Sequence, residues 1–107
     1  MKFYGLKSCD TCKKASKALI DAGHDITVID VRAQGVARED LQRFHDSFGE
    51  KLINTRSTTW RNMSEDQRAE APIDMLLANP TLMKRPVIDD EGTLYLAWGK
   101  DVQSALL

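Results

Sequence analysis

Three things are scarce in this sequence of 107 residues. It has no apolar run near the roughly 18–20 residues that a membrane-spanning helix needs. Its formal net charge is only -1, so overall charge gives it no reason to bind nucleic acid or an anionic membrane. It has only 2 cysteines, three positions apart, and such a pair is a poor structural staple. The chain length predicts one domain, residues 1–107, which is large enough to bury an apolar core.

The first residues lack the features of an export signal. Residues 1–6 are short and partly apolar, and polar residues follow at once, so we expect no signal peptide. We therefore expect a cytoplasmic protein, a monomer that binds neither membrane nor nucleic acid directly. In the cytoplasm a close pair of cysteines indicates redox chemistry or metal binding.

The spacing of apolar residues predicts alternating strands and helices in the first half of the chain. Residues 3–6 form a predicted strand, and a helix follows from Cys9 to a stop at Gly23. The β-branched residues 26–29 predict a second strand, and residues 38–48 a second helix. A strand, helix and strand in this order predict a parallel pair joined by a crossover.

The second half begins with helices and ends with a hairpin. Residues 50–82 contain no convincing strand, and Ser64 with Gln67 forms a capping-box pattern, so we predict a helical insertion at about residues 36–82. Residues 87–88 and 93–96 flank an acidic turn with Gly92, which predicts a β-hairpin, and a short helix follows from Lys100. The fold class is α/β: a thioredoxin-like fold, β-α-β then β-β-α, with a mixed four-stranded sheet.

The segment Cys9-Asp10-Thr11-Cys12 carries the strongest chemical signal. It opens a helix directly after a strand, where free N–H groups and the helix dipole stabilise a thiolate. Lys7 adds positive charge nearby, and the hydroxyl or backbone N–H of Thr11 could donate to the sulfur. A spacing of three places Cys12 one turn deeper, within reach of a disulfide with Cys9. We expect Cys9 to attack and Cys12 to resolve the mixed disulfide.

Two other interpretations of the cysteine pair stay open. The cysteines could be packed side chains without a chemical role, which is reasonable for Cys12 taken alone. They could also bind zinc, but the two further ligands would have to be His24 and His45, which are far apart and on different predicted elements. We therefore expect no metal site and no bound cofactor.

Three stretches of this chain resemble the ArsC/Spx/YffB family of arsenate-reductase-like proteins. They are Tyr4-Gly5-Leu6-Lys7-Ser8-Cys9-Asp10-Thr11-Cys12-Lys13-Lys14-Ala15, then Leu52-Ile53-Asn54-Thr55-Arg56-Ser57-Thr58-Thr59-Trp60-Arg61, then Lys84-Arg85-Pro86-Val87. They follow the order of the family, span almost the whole chain and look most similar to the YffB branch.

The resemblance implies an oxidoreductase: a thiol-disulfide reductase that uses glutathione, or a glutaredoxin- or thioredoxin-type reductant. It implies that Cys9 is the nucleophile and that Arg85 holds an anion beside it. It also implies that Pro86 is a cis-proline next to the thiolate. Arg56 is an approximate counterpart of a further anion-binding arginine, able to receive glutathione carboxylates.

The chain also departs from its relatives. Arsenate reductases carry a histidine where this chain has Gly5. They also carry an arginine in the region that matches residues 94–98, which contain no arginine in this chain. Fewer fixed donors count against efficient arsenate reduction. Typical YffB-like sequences lack the second cysteine, whereas Spx regulators carry C-x-x-C here as a redox switch. The alternative is therefore an Spx-like regulator that binds the RNA polymerase α C-terminal domain, with Gly49 at a matching glycine.

Overall fold

The computed structural model describes residues 1–107 and divides them into two compact units. The first unit is Met1–Val31 with Arg85–Leu107, and the second is Arg32–Lys84. No helix is long and apolar enough to cross a membrane.

The elements alternate between strand and helix at both ends of the chain and are helical between. In chain order they are β1 (Lys2–Gly5), α1 (Asp10–Asp21), β2 (Thr27–Asp30), α2 (Val31–Gln34), α3 (Arg38–Phe48), α4 (Thr58–Arg61), α5 (Glu65–Arg68), α6 (Pro72–Ala78), β3 (Val87–Asp90), β4 (Thr93–Leu96) and α7 (Lys100–Leu106), with 3₁₀ turns at Gly49–Leu52 and Pro80–Leu82.

The first unit contains one mixed sheet with the strand order β2-β1-β3-β4. Strand β1 runs parallel to β2 and antiparallel to β3, so that Phe3 lies opposite Val28 on one side and Ile88 on the other. Strands β3 and β4 form the hairpin. The predicted thioredoxin-like sheet is therefore confirmed, and β1 lies in its interior with its carboxyl end leading directly to α1.

Helix α1 is amphipathic, which fixes how its first turn is presented. Cys12, Ala15 and Leu19 are buried on one face. The helix ends at Asp21, and two residues later Gly23 has a φ of +93°, the left-handed conformation that glycine adopts without strain. The N–H groups of Gly23 and His24 donate to carbonyls in the last turn, both at 3.0 Å. Both ends of α1 are thereby set, and Cys9 is held at its start.

The core of the first unit joins the sheet to α1 and α7. Its buried members are Phe3, Cys12, Ala15, Leu19, Ile88, Val102 and Leu106, and the half-buried Cys9, Tyr95 and Trp98 pack against them. Burying each large apolar side chain contributes about 1.5–3 kcal/mol. Cys12 thus belongs to the buried core of this unit, and the partly exposed Cys9 packs against that core.

The second unit is helical, with one β-bridge between Ile53 and Met83. The N–H of Asn54 donates to the Leu82 carbonyl at 2.9 Å, and that of Lys84 to the Leu52 carbonyl at 2.7 Å. The capping box of Ser64 and Gln67 is present, as predicted. The buried apolar residues of the second unit are Leu41, Phe44, Leu52, Met63, Ile73, Met75, Leu76, Leu82 and Met83.

Some element bounds differ from the predictions. Strand β1 occupies Lys2–Gly5 rather than residues 3–6, and β2 occupies Thr27–Asp30 rather than residues 26–29. Helix α2 was not predicted, because a single turn of four residues is too short to show a periodic apolar pattern.

Candidate active site

Cys9 occupies the residue that caps the N-terminus of α1. Its backbone is extended, with φ -84° and ψ 120°, and its carbonyl accepts the N–H of Lys13 at 3.0 Å to begin the helix. The neutral thiol makes no capping hydrogen bond. The N–H groups of the first turn are therefore available to a negative charge on the Cys9 sulfur.

The surroundings of Cys9 favour its thiolate form. Partial burial acts to raise the pKa of the thiol, but the N–H and the thiol of Cys12 both act to lower it. The guanidinium of Arg85 and the N–H of Thr11 also lower the pKa. The net result is a pKa of Cys9 below its ordinary value of 9.0, as a nucleophilic cysteine requires.

Cys12 has the opposite protonation behaviour. It is 3% exposed, and this burial, together with the hydrogen bond and the negative charge of Cys9, raises its pKa to about 11. The N–H of Leu6 and the charge of Arg85 oppose the rise without cancelling it. Cys12 therefore stays a thiol when Cys9 ionises and can donate to the Cys9 thiolate, and the two groups titrate as a pair.

Gly5 makes room for the Cys12 thiol. A Cβ on Gly5 would lie 2.8 Å from Cys12 Sγ and 3.1 Å from the ring of Phe3. In the sequence Gly5 stood out only as a departure from arsenate reductases. A glycine inside a predicted strand was the signal that could have indicated a close approach.

Arg85 and Pro86 lie at the start of β3. The Arg85–Pro86 peptide bond is cis, as the resemblance implied. The Pro86 carbonyl accepts the N–H of Ala97 at 2.8 Å, which holds this turn against the end of β4. Arg85 is half-buried, and its positive charge acts on both thiols.

Lys7 and Thr11 lie on either side of Cys9 in the chain. Both side chains are exposed. Lys7 lines a mainly apolar cavity of about 310 Å³, and Cys12 is among its walls. Thr11 acts on Cys9 through its backbone N–H rather than its hydroxyl. The cation whose charge lowers the pKa of Cys9 is Arg85.

Arg56 belongs to the second unit. Its side chain is exposed and lines a cavity of about 500 Å³ with Lys51 and Lys84. Nearby, Arg68 packs over the ring of Trp60 at 5.0 Å and donates to the Trp60 carbonyl at 2.8 Å. Trp60 is thus a packing residue within this unit.

The two histidines lie in different units. Nε2 of His24 bonds with the Leu106 carbonyl, which ties the end of α1 to α7. His45 is half-buried in α3, and its Nε2 is buried without a hydrogen-bond partner. No group of three His, Cys, Asp or Glu side chains is placed to hold a metal ion.

Comparison with known proteins gives matches over nearly the whole chain. A family model described as "ArsC family" matches residues 4–104. An uncharacterized protein of Haemophilus influenzae is 38% identical over 108 residues, 95% of each chain. The global transcriptional regulator Spx of Streptococcus pyogenes is 26% identical over 94% of this chain and 79% of its own.

Two solved structures are similar in fold and sequence. A YffB protein has a TM-score of 0.90 and 33% identity, covering 99% of this chain and 97% of its own. An arsenate reductase (ArsC) related protein from Brucella melitensis has a TM-score of 0.73 and 36% identity, covering 97% and 91%.

Proposed function

This chain belongs to the ArsC family, and from that premise we propose that it is a thiol-disulfide reductase in which Cys9 is the nucleophile. Its relatives include both arsenate-reductase-related proteins and Spx regulators. The observation that carries the proposal is the division of protonation states, with the pKa of Cys9 lowered and that of Cys12 raised to about 11. One thiol is prepared to attack while its neighbour keeps a proton to give.

The proposed reaction begins with attack of the Cys9 thiolate on one sulfur of a substrate disulfide. A new S–S bond forms between Cys9 and that sulfur, the substrate S–S bond breaks, and the other half leaves as a thiolate. The mixed disulfide carries no charge on Cys9, so one cause of the raised pKa of Cys12 disappears. Cys12 then gives its proton to the thiolate released in this first step. The resulting Cys12 thiolate attacks the Cys9 sulfur of the mixed disulfide.

The second attack forms a Cys9–Cys12 disulfide and releases the remaining substrate half as a thiolate, which takes a proton from solvent. The substrate gains two electrons and the protein dithiol loses two. Two molecules of glutathione, or a glutaredoxin- or thioredoxin-type protein, would return the protein to the dithiol. Glutathione enters as a co-substrate and not as a bound cofactor.

The remaining residues take supporting roles in this proposal. Arg85 holds negative charge at the reacting sulfur, Thr11 donates through its N–H, and Lys7 and Pro86 border the substrate. Arg56 receives an anionic group of the substrate. In this proposal residues 1–107 form one domain with a helical insertion at about 36–82, and the protein acts as a cytoplasmic monomer. Arsenate is a weak candidate substrate, because residues 94–98 contain no arginine.

The test is turnover of a mixed disulfide of glutathione with a small thiol, with glutathione as reductant. We expect turnover in the wild type and none in Cys9→Ser. Cys9→Ser keeps the size of the side chain but removes the sulfur, so retained turnover would contradict the proposal. Arsenate is assayed in parallel and is expected to be reduced much more slowly.

A second candidate function is an Spx-like redox switch that regulates transcription by binding the RNA polymerase α C-terminal domain. Two observations favour it: the similarity to Spx and the presence of two interacting thiols. It predicts binding to the α domain that changes when Cys9 and Cys12 are oxidised, without disulfide turnover. Turnover without such binding decides for the reductase.

A further inference from the structure

The second unit contains a cavity with an unusual concentration of positive charge. Its volume is about 500 Å³, and its walls include Lys51, Arg56 and Lys84 but only one acidic residue, Glu50. The formal charge of these four side chains is therefore +2, in a protein whose net charge is -1. The charge around the cavity is therefore opposite in sign to the net charge of the chain.

The three cations are not neutralised within the protein. The ion pairs of this unit join Arg38 to Asp74 and Arg43 to Asp40, and none includes Lys51, Arg56 or Lys84. Glu50 lines the same cavity but pairs with none of them. Like charges repel one another, so an anion bound among these three exposed side chains would be attracted by all of them and would relieve their mutual repulsion.

The backbone that carries these cations is fixed. The N–H of Lys84 donates to the Leu52 carbonyl at 2.7 Å, beside the bridge of Ile53 and Met83. This pairing holds Lys84 next to the segment that carries Lys51. A cavity whose walls are already paired by backbone hydrogen bonds needs little reorganisation to bind a ligand.

The loop that carries Arg56 is held in the same way. Oδ1 of Asn54 accepts the N–H of Arg56 at 3.1 Å, and the Asn54 carbonyl accepts the hydroxyl of Ser57 at 2.7 Å. These bonds fix the backbone and leave the guanidinium of Arg56 exposed. A guanidinium presented in this manner can form two parallel hydrogen bonds to a carboxylate or a phosphate.

We propose that this cavity binds a small ligand with two anionic groups, one on the guanidinium of Arg56 and the other on the ammonium groups of Lys51 and Lys84. Two negative charges match the net charge of the cavity walls. The inference deepens, and rests on, the substrate-binding role proposed above for Arg56. It adds Lys51 and Lys84 as binding residues and gives the chemical class of ligand.

The test uses two probes without a reactive thiol: inorganic pyrophosphate and S-methylglutathione, which carries two carboxylates. Calorimetric titration at low salt is expected to detect binding of at least one probe, weakening as salt is added. Preference for pyrophosphate would indicate a phosphorylated ligand, and preference for S-methylglutathione a dicarboxylate. Losing a charged contact is expected to weaken binding about tenfold in Arg56→Gln and in Lys51→Gln/Lys84→Gln.

The matched control is Lys2→Gln/Lys100→Gln, which removes two exposed lysines of the first unit and is expected to bind like the wild type. Equal affinity in the cavity variants and the control, or no binding of either probe to the wild type, overturns the proposal. Cys9 alkylation is measured on the same variants. If Cys9 reacts normally but neither probe binds, the ligand-binding proposal fails and the proposed reductase function stands. If a probe binds but Cys9 is not activated, the proposed reductase function fails.

Discussion

Gly5 and Cys12 are packed so closely that a Cβ on residue 5 would lie 2.8 Å from the Cys12 sulfur. Gly5 belongs to β1, and Cys12 belongs to the first turn of α1. The second thiol therefore depends on the absence of a side chain in the neighbouring strand.

The first prediction follows from this contact. Gly5→Ala is expected to destabilise the reduced protein by about 1–3 kcal/mol, because the added methyl group overpacks a rigid core. The measurement is urea unfolding under reducing conditions. In a Cys12→Ala background the sulfur is gone, so the same Gly5→Ala change is expected to cost less. Equal costs in the two backgrounds would show that Gly5 and Cys12 are not coupled.

The second prediction concerns stability at high pH. Cys12 ionises near its ordinary value of 9.0 in the unfolded chain, but its folded pKa is about 11. Between these values the folded state keeps a proton that the unfolded state gives up. The free energy of unfolding therefore falls as pH rises from 9 to 11. The lowered pKa of Cys9 gives a slope of opposite sign, which fades above pH 9 as the Cys9 thiol of the unfolded chain finishes ionising.

The control for that experiment is Cys12→Ser, which lacks the titrating thiol. Urea unfolding is measured in steps of pH across the same window for both proteins. As pH rises, the free energy of unfolding of the wild type is expected to fall steadily relative to that of Cys12→Ser. A difference that is independent of pH would contradict the raised pKa of Cys12.

The third prediction concerns Arg85. Arg85→Gln removes a charge that lowers the pKa of Cys9, so alkylation of Cys9 at neutral pH is expected to slow several-fold. Arg85→Lys keeps the charge and is expected to restore most of the rate. The measurement is the iodoacetamide rate constant of Cys9, read by mass spectrometry. An unchanged rate in Arg85→Gln would show that Arg85 does not activate Cys9.

The fourth prediction separates the two cysteines. Cys12→Ala removes the thiol that donates to the Cys9 sulfur, so the pKa of Cys9 is expected to rise. The same variant cannot resolve a mixed disulfide, so it is expected to retain one glutathione per chain after reaction with oxidised glutathione. Wild type treated in the same way should carry an internal disulfide instead. Retained glutathione on both proteins would rule out Cys12 as the resolving thiol.

Much of the fold could be predicted from sequence because the signals were local. The bounds of α3, the capping box at Ser64 and the hairpin around Gly92 depend on periodicity and on residues with strong backbone preferences. Cys9 at the start of α1 was predictable for the same reason. Helix α2 was missed because one turn is too short to show a period.

The rest of the candidate site could not be predicted because it depends on contacts between distant positions. The closeness of Gly5 to Cys12 arises only when β1 packs on α1. The cavity with Lys51, Arg56 and Lys84 needs the bridge between Ile53 and Met83. A sequence shows no sign of which lysines such a pairing brings together. The roles of Lys7, Arg56 and Pro86 stay predictions.

In the proposed mechanism folding turns Cys9 into an activated thiolate, and the pH dependence of Cys9 alkylation measures that activation. Reduced wild type is treated with iodoacetamide across a pH series, and modification of Cys9 is separated from that of Cys12 by mass spectrometry. The same protein in concentrated urea gives the unfolded reference. We predict a folded midpoint below the ordinary pKa of 9.0 and below that of the urea-unfolded chain. A folded midpoint at or above the unfolded one would show that folding does not activate Cys9.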